Sequence, residues 1–118
     1  MAKILVIDDD SRMRRLVARI LAGENHEVVE AANGRSGMVE FAASRPDVVV
    51  TDLLMPEQEG IETIRELRRI APSVRIVAMS GGGGGDNDMM FLGMAKALGA
   101  DAVLAKPFRA DELLRAVQ

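Results

Sequence analysis

Short apolar runs alternate along the chain with stretches whose apolar residues recur at the spacing of an α-helix. Of all the features of the sequence, this alternation constrains the fold most. The runs predicted as strands are Lys3–Ile7, Glu27–Ala31, Asp47–Thr51, Val74–Met79 and Ala102–Ala105. Three of them are rich in Val and Ile with little polar alternation, which is typical of strands covered on both faces. Strand–helix alternation therefore predicts an α/β fold with a parallel sheet, right-handed crossovers and helices on both faces.

The stretches between these strands have the 3.6-residue apolar spacing of helices. In the first, Asp10 or Ser11 is the expected N-cap and Gly23 the expected stop. The predicted inward residues of this helix are Met13, Leu16, Val17, Ile20 and Leu21. The later helices are predicted over Gly34–Ala43, Gly60–Ala71, Asp88–Leu98 and Ala110–Val117. Their inward residues are predicted to be Met38, Phe41, Ala42, Ile61, Ile64, Leu67, Ile70, Ala110, Leu113, Leu114 and Val117.

Length and composition exclude several classes of protein. A chain of 118 residues fits one domain, which we expect to span residues 1–118. There is no cysteine and only one histidine, so disulfide frameworks, thiol catalysis and multi-histidine metal sites are excluded. A net charge of −3 and the absence of Trp and Tyr argue against direct nucleic-acid binding. No apolar run approaches a membrane span or a signal peptide, so we expect a cytoplasmic protein that does not bind a membrane.

Polar residues follow the predicted strands where each strand ends. Asp8, Asp9 and Asp10 follow the first strand, Asp52 the third, Ser80 the fourth and Lys106 the fifth. In an open parallel sheet these carboxyl ends share one edge, where ligands bind. We interpret Asp10 as a helix cap and the other residues as a candidate site.

Crowded carboxylates repel one another, so either some are protonated or a cation lies among them. With oxygen ligands only, the fitting cation is Mg²⁺. Asp52 can attack a phosphoryl group and form an acyl phosphate. Mg²⁺, Lys106 and the Ser80 hydroxyl would neutralise the phosphoryl oxygens, which is the main requirement of phosphoryl transfer.

Across its whole length the sequence resembles the receiver domains of two-component response regulators, including chemotaxis regulators. The segments that carry the resemblance are ILVIDDDSRMRRLV, VVVTDLLMPEQEGIE, IVAMSG and GADAVLAKPF. The resemblance implies a doubly wound, flavodoxin-like sheet with strand order 2-1-3-4-5. It also implies phosphorylation by a histidine kinase or phosphotransfer protein, a switch in partner binding, and no catalytic turnover beyond the domain's own phosphorylation and dephosphorylation.

The resemblance assigns a role to each candidate residue. Asp52 is the implied phospho-acceptor and Mg²⁺ ligand, Asp9 a direct Mg²⁺ ligand, and Asp8 a ligand through water. The backbone carbonyl of Leu54 is a further implied ligand. Ser80 takes the switch position and Lys106 the position of the family's invariant lysine, with a cis bond expected between Lys106 and Pro107. A homodimer through the face of the fourth helix, fifth strand and fifth helix is a further implied partner.

Two features depart from the family pattern. Val103 stands at the second switch position, where receiver domains usually carry Tyr or Phe. The signal is then expected to use the Ser80 loop and the fourth helix, or the domain switches little. Glycines at 81–85 lengthen that loop, which either stays loose or orders on phosphorylation or partner binding.

Other features receive a structural interpretation first. Arg12, Arg14, Arg15 and Arg19 are interpreted as a solvated helix face, with kinase docking as the alternative. Methionines of the fourth helix (Met89, Met90 and Met94) are expected in the core rather than at an interface.

Two other functions compete with the phosphorylated switch. One is a receiver-like scaffold that is never phosphorylated. The other is a haloacid-dehalogenase-type phosphohydrolase, for which Asp8 and Asp10 would form the DxD motif.

Overall fold

Five strands form one parallel sheet in the order β2-β1-β3-β4-β5, as predicted. A computed structural model describes residues 1–53, 59–80 and 86–118. The strands are β1 (Lys3–Ile7), β2 (Glu27–Ala31), β3 (Val48–Asp52), β4 (Arg75–Ser80) and β5 (Ala102–Ala105). The helices are α1 (Ser11–Gly23), α2 (Gly34–Ser44), α3 (Glu59–Ile70), α4 (Asp86–Leu98) and α5 (Ala110–Ala116).

Alternate residues of each central strand enter two separate cores, because successive strand side chains point to opposite faces. Ile4 and Val6 of β1 pack in the core formed with α1 and α5. Leu5 and Ile7 pack in the core formed with α2, α3 and α4. Both faces of the sheet are therefore covered, which explains why these strands lack polar alternation.

The predicted element boundaries are close to those observed. β1, β2 and β5 have the predicted ends, whereas β3 and β4 each begin and end one residue later. This shift makes Asp52 and Ser80 the last residues of their strands. The N-cap of α1 is Asp10, whose side chain accepts hydrogen bonds from the backbone N–H groups of Arg12 and Met13. The prediction of Asp10 as a cap is confirmed.

Several residues predicted to face inward are exposed instead. Leu16 and Ile70 are about half exposed, because Leu16 lies at the edge of the apolar stripe and Ile70 ends α3. Ala42 and Ala110 are also exposed. On α4, Met90 is 56% and Met94 43% exposed, so the core prediction is wrong for these two methionines. The side chain of Met89 lies outside the described residues.

A cavity of about 820 Å³ opens at the end of the sheet where the strands begin. Its lining includes Phe41 of α2, Ile70 of α3, and Asp47 and Val74, which directly precede β3 and β4. It therefore lies at the opposite end of the strands from the predicted site. Among the described residues, no helix has the length and apolarity to cross a membrane.

Candidate functional site

The predicted site residues lie together at the carboxyl edge of the sheet. Strand register places Ile7 beside Thr51, Asp52 beside Met79 and Ser80 beside Ala105. The residues that end or follow these strands therefore share one edge. The strand order reverses between β1 and β3, which is the position where sheets of this type bind ligands.

Asp8, Asp9 and Asp52 form an acidic cluster. Each offers a carboxylate oxygen, and these oxygens lie within 4.8 Å of one another. Asp8 and Asp52 are buried, whereas Asp9 is exposed. Carboxylates at this spacing repel one another, and a nearby cation offsets that repulsion. The donor set consists of hard oxygens, which fits Mg²⁺.

Lys106 places a cation against this cluster. Its Nζ lies 3.3 Å from Asp8 Oδ2 and 3.6 Å from Asp52 Oδ1. The Lys106 side chain is only 11% exposed. A single ammonium between two buried carboxylates leaves the three-carboxylate cluster with an excess of negative charge, which a divalent cation can offset.

The three consecutive aspartates after β1 have different surroundings. The backbone N–H of Asp8 donates to the carbonyl of Ala31 at the end of β2. Asp8 Oδ1 accepts a 2.9 Å hydrogen bond from the backbone N–H of Asp10. Asp8 is hydrogen-bonded to β2 and to the backbone of Asp10, and Asp10 caps α1. Asp9 therefore lies between two restrained residues.

Ser80 and Lys106 are brought together by the pairing of β4 with β5. Ser80 is fully buried at the end of β4, and its carbonyl accepts a hydrogen bond from the backbone N–H of Lys106. The Lys106–Pro107 peptide bond is cis, as expected. The hydroxyl and ammonium groups thus come from adjacent strand ends.

Val103, the second switch position predicted from sequence, is not part of this cluster. Val103 is half-buried and packs against the core beneath α2, α3 and α4. Its strand partner is Ala78, two residues before Ser80. Leu54 and the glycines at 81–85 lie outside the described residues.

Two residues at the site were missed from sequence. Arg14 was assigned to a solvated face, but its guanidinium contacts the Asp8 carbonyl and Glu30. Gly60 sits where an added Cβ would lie 2.3 Å from the Asp52 carbonyl oxygen. The sequence did contain a clue to Gly60, because glycine destabilises a helix and its presence in a predicted helix suggests that a neighbouring group lies too close for a side chain.

Comparisons with known proteins agree with this geometry. Residues 4–118 match the family model described as the response regulator receiver domain. The chemotaxis protein CheY of Bacillus subtilis is 35% identical over 116 residues, covering 98% of this chain and 93% of that protein. The sporulation initiation phosphotransferase F of the same organism is 32% identical, covering 98% and 90%.

Solved structures give the same result. A receiver domain protein from Clostridium thermocellum superposes with a TM-score of 0.89 at 33% identity, covering 99% of this chain and 91% of that one. A family match over nearly the whole chain and relatives above 30% identity together determine the assignment. The chain belongs to the family of response regulator receiver domains of two-component signalling.

Proposed function

We propose that this chain accepts a phosphoryl group on Asp52 from a histidine kinase or phosphotransfer protein, and that phosphorylation changes its binding of partners. Receiver domains are signalling domains rather than classical enzymes, and they interact with such phosphoryl donors. The observation that carries the proposal is the cluster of Asp8, Asp9 and Asp52 with Lys106 at the carboxyl edge of the sheet. The family match over residues 4–118 supports a single receiver domain.

The acidic cluster fits Mg²⁺ by the nature and spacing of its donors. Asp9 and Asp52 would supply carboxylate ligands, Leu54 its backbone carbonyl, and Asp8 would hold a metal-bound water. When bound, Mg²⁺ would neutralise charge on the phosphoryl oxygens.

Asp52 is the proposed nucleophile. One of its carboxylate oxygens forms a bond to phosphorus while the bond from phosphorus to the donor's imidazole nitrogen breaks, and that nitrogen keeps the electron pair. The Lys106 ammonium and the Ser80 hydroxyl donate to the phosphoryl oxygens, where negative charge accumulates. Their positions beside the Asp52 strand end support these roles.

Ser80 is also the proposed switch residue. A hydroxyl drawn towards the phosphoryl group would pull on the chain between β4 and α4. Val103 has no aromatic ring to exchange between buried and exposed positions, so we assign the output to α4. Met90 and Met94 are exposed on this helix and present polarisable apolar surface to a partner or to a second copy bound through α4, β5 and α5.

The part of the chain that the structure describes gives no support to the alternative functions. A dehalogenase-type phosphohydrolase would use Asp8 and Asp10 as nucleophile and acid. The Asp10 side chain is engaged as a helix cap, and Asp52 would have no role in such an enzyme although it lies in the acidic cluster. A scaffold that is never phosphorylated would not need the buried acidic cluster, which is costly to maintain.

Intact mass after incubation with acetyl phosphate and Mg²⁺ tests the proposal. The wild type should gain about 80 Da, the mass of one phosphoryl group. Asp52→Asn should gain nothing, whereas Asp10→Asn, a matched change at the helix cap, should gain the same mass as the wild type. A wild type that gains no mass from acetyl phosphate or from phosphorylated histidine kinases would contradict the proposal. An equal gain by Asp52→Asn would refute the assignment of Asp52.

A further inference from the structure

We propose that Arg14 is a positioning residue for the metal site: it orients the peptide group between Asp8 and Asp9 and so directs the Asp9 carboxylate. This inference rests on the proposed function, because it concerns the Mg²⁺ that the cluster would hold. Arg14 Nη1 donates a 2.8 Å hydrogen bond to the backbone carbonyl of Asp8. Arg14 Nε donates a 3.0 Å hydrogen bond to Glu30 Oε1.

The Asp8 carbonyl matters because it belongs to the peptide group that precedes Asp9. On the other side of Asp9, the N–H of Asp10 is held by Asp8 Oδ1. Within residues 1–53, 59–80 and 86–118, no hydrogen bond or ion pair restrains the Asp9 carboxylate itself. The directions open to this carboxylate are therefore limited by its backbone, which Arg14 and Asp8 hold in place.

Arg14 is suited to this role because its guanidinium has two separate contacts. Glu30, near the end of β2, anchors one edge of the guanidinium while another edge reaches the Asp8 carbonyl. The Arg14 side chain is only 17% exposed, unlike that of a solvated surface arginine. A lysine ammonium is a point charge on a flexible chain and lacks this planar fork.

Two possible roles of Arg14, as a nearby charge or as a positioning residue, predict opposite effects of its removal on Mg²⁺ affinity. If Arg14 acted only as a nearby positive charge, Arg14→Ala would relieve repulsion and tighten Mg²⁺ binding. If Arg14 positions Asp9, the same substitution should weaken binding by about tenfold, the usual effect of losing a group that orients a metal ligand. The sign of the change distinguishes the two.

Calorimetric titration with MgCl₂ would measure this sign in four proteins. These are the wild type, Arg14→Ala, Arg14→Lys and Arg15→Ala. Arg15 is the exposed neighbour on the same helix, so Arg15→Ala removes the same charge without touching the Asp8 carbonyl. We expect both Arg14 variants to bind Mg²⁺ more weakly and Arg15→Ala to bind it as the wild type does or slightly more tightly.

A second readout reports the hydrogen bond directly. The N–H of Asp9 belongs to the same peptide group as the Asp8 carbonyl, so its amide resonance should move in both Arg14 variants before any Mg²⁺ is added. Urea unfolding followed by far-ultraviolet circular dichroism identifies variants whose stability has changed. An Asp9 amide that does not move in Arg14→Ala would show that this hydrogen bond does not form in solution, which would overturn the inference.

Unchanged or tighter Mg²⁺ binding by Arg14→Ala would overturn the inference. Equal weakening by Arg15→Ala, or wild-type affinity in Arg14→Lys, would also overturn it. If the wild type binds Mg²⁺ and is phosphorylated on Asp52, and the Arg14 variants bind Mg²⁺ with the affinity of the wild type, the positioning role is refuted and the proposed function stands. A wild type that does not bind Mg²⁺ would refute the proposed function and this inference with it.

Discussion

The Nζ of Lys106 lies 3.3 Å from Oδ2 of Asp8, a residue 98 positions earlier in the chain. This contact joins the last strand of the sheet to the first across β3 and β4. Asp8 is fully buried and Lys106 nearly so. The charge balance of the site therefore depends on elements from both ends of the sequence, and substitutions at its members have opposite expected effects.

Lys106→Ala should destabilise the protein in the absence of Mg²⁺. Losing the cation leaves the buried carboxylates of Asp8 and Asp52 without their ammonium partner, which should lower the free energy of unfolding by about 3 kcal/mol. Added Mg²⁺ should restore much of the loss. Urea unfolding with and without Mg²⁺ measures both effects, with Lys96→Ala, an exposed lysine of α4, as the control.

Phosphorylation gives a second readout for the same variant. We expect Lys106→Ala to accept a phosphoryl group on Asp52 more slowly, and without the amide-resonance changes that we expect along α4 in the phosphorylated wild type. Loss of Mg²⁺ binding in this variant would contradict the role assigned to Lys106.

Asp52→Asn should not destabilise the fold. The substitution removes one of three clustered carboxylates, and the relief of repulsion should raise the free energy of unfolding without Mg²⁺ by about 1 kcal/mol. Mg²⁺ should stabilise this variant less than it stabilises the wild type. Thermal unfolding at several Mg²⁺ concentrations tests the prediction, and Asp111→Asn, at an exposed position of α5, controls for net charge. A sharp fall in melting temperature would show that the Asp52 carboxylate is needed for folding.

Gly60→Ala should be strongly destabilising. An added Cβ would lie 2.3 Å from the Asp52 carbonyl oxygen and 2.6 Å from the Leu53 Cα, and backbone atoms cannot yield as a flexible side chain can. We expect a loss of about 3 kcal/mol in urea unfolding. Gly93→Ala in α4 is the matched control, because nothing lies within 4 Å of its added Cβ. That variant should gain about 0.5–1 kcal/mol from helix propensity, and similar results for both variants would contradict the packing argument.

Asp10→Ala should reduce stability with little effect on the metal site. Losing the cap of α1 should cost about 1 kcal/mol, whereas Asp10→Asn keeps an acceptor for the same N–H groups and should cost only a few tenths. Mg²⁺ affinity should stay near that of the wild type in both variants, in contrast to Asp9→Asn. Weakening as large as that of Asp9→Asn would mean that Asp10 is a ligand.

Arg68→Ala should loosen the end of α4 that is remote from the site. Its guanidinium donates to the carbonyls of Pro72, Val74 and Gly99 and to Asp101 Oδ2. Because the substitution removes the guanidinium that satisfies all four of these acceptors, it should lower the free energy of unfolding by about 2–3 kcal/mol. Amide exchange should increase most near Gly99 and Asp101, while Mg²⁺ affinity stays unchanged. Arg65→Ala, at an exposed position of α3, is the control and should change neither the free energy of unfolding nor amide exchange near Gly99.

Much of this arrangement could be predicted from sequence because it depends on local patterns. Apolar runs located the strands, and the residues after them met at one edge because parallel strands all end there. The capping role of Asp10 followed from its position before an amphipathic helix. These features need no knowledge of distances between elements.

Arg14 and Gly60 were missed because their roles depend on the approach of different elements. Helix spacing puts Arg14 on the same side of α1 as the buried Val17, but its partner Glu30 comes within reach only when β2 lies beside α1. The need for glycine at position 60 appears only when α3 begins against the backbone of Asp52 and Leu53. The exposure of Met90 and Met94 likewise depends on how far the packing of neighbouring elements extends around α4.

We expect the carboxylate of Glu30 also to affect how copies of this protein associate in solution. β2 is an edge strand, and such strands can pair with the edge of another molecule unless charges discourage it. Glu27 and Glu30 are both exposed on this strand and form ion pairs with Lys3 and Arg14, so a second edge laid against it would have to displace or desolvate these charged groups. We therefore expect replacement of Glu30 to weaken this protection as well as to release Arg14, whereas replacement of Arg14 leaves the Glu30 carboxylate on the sheet edge.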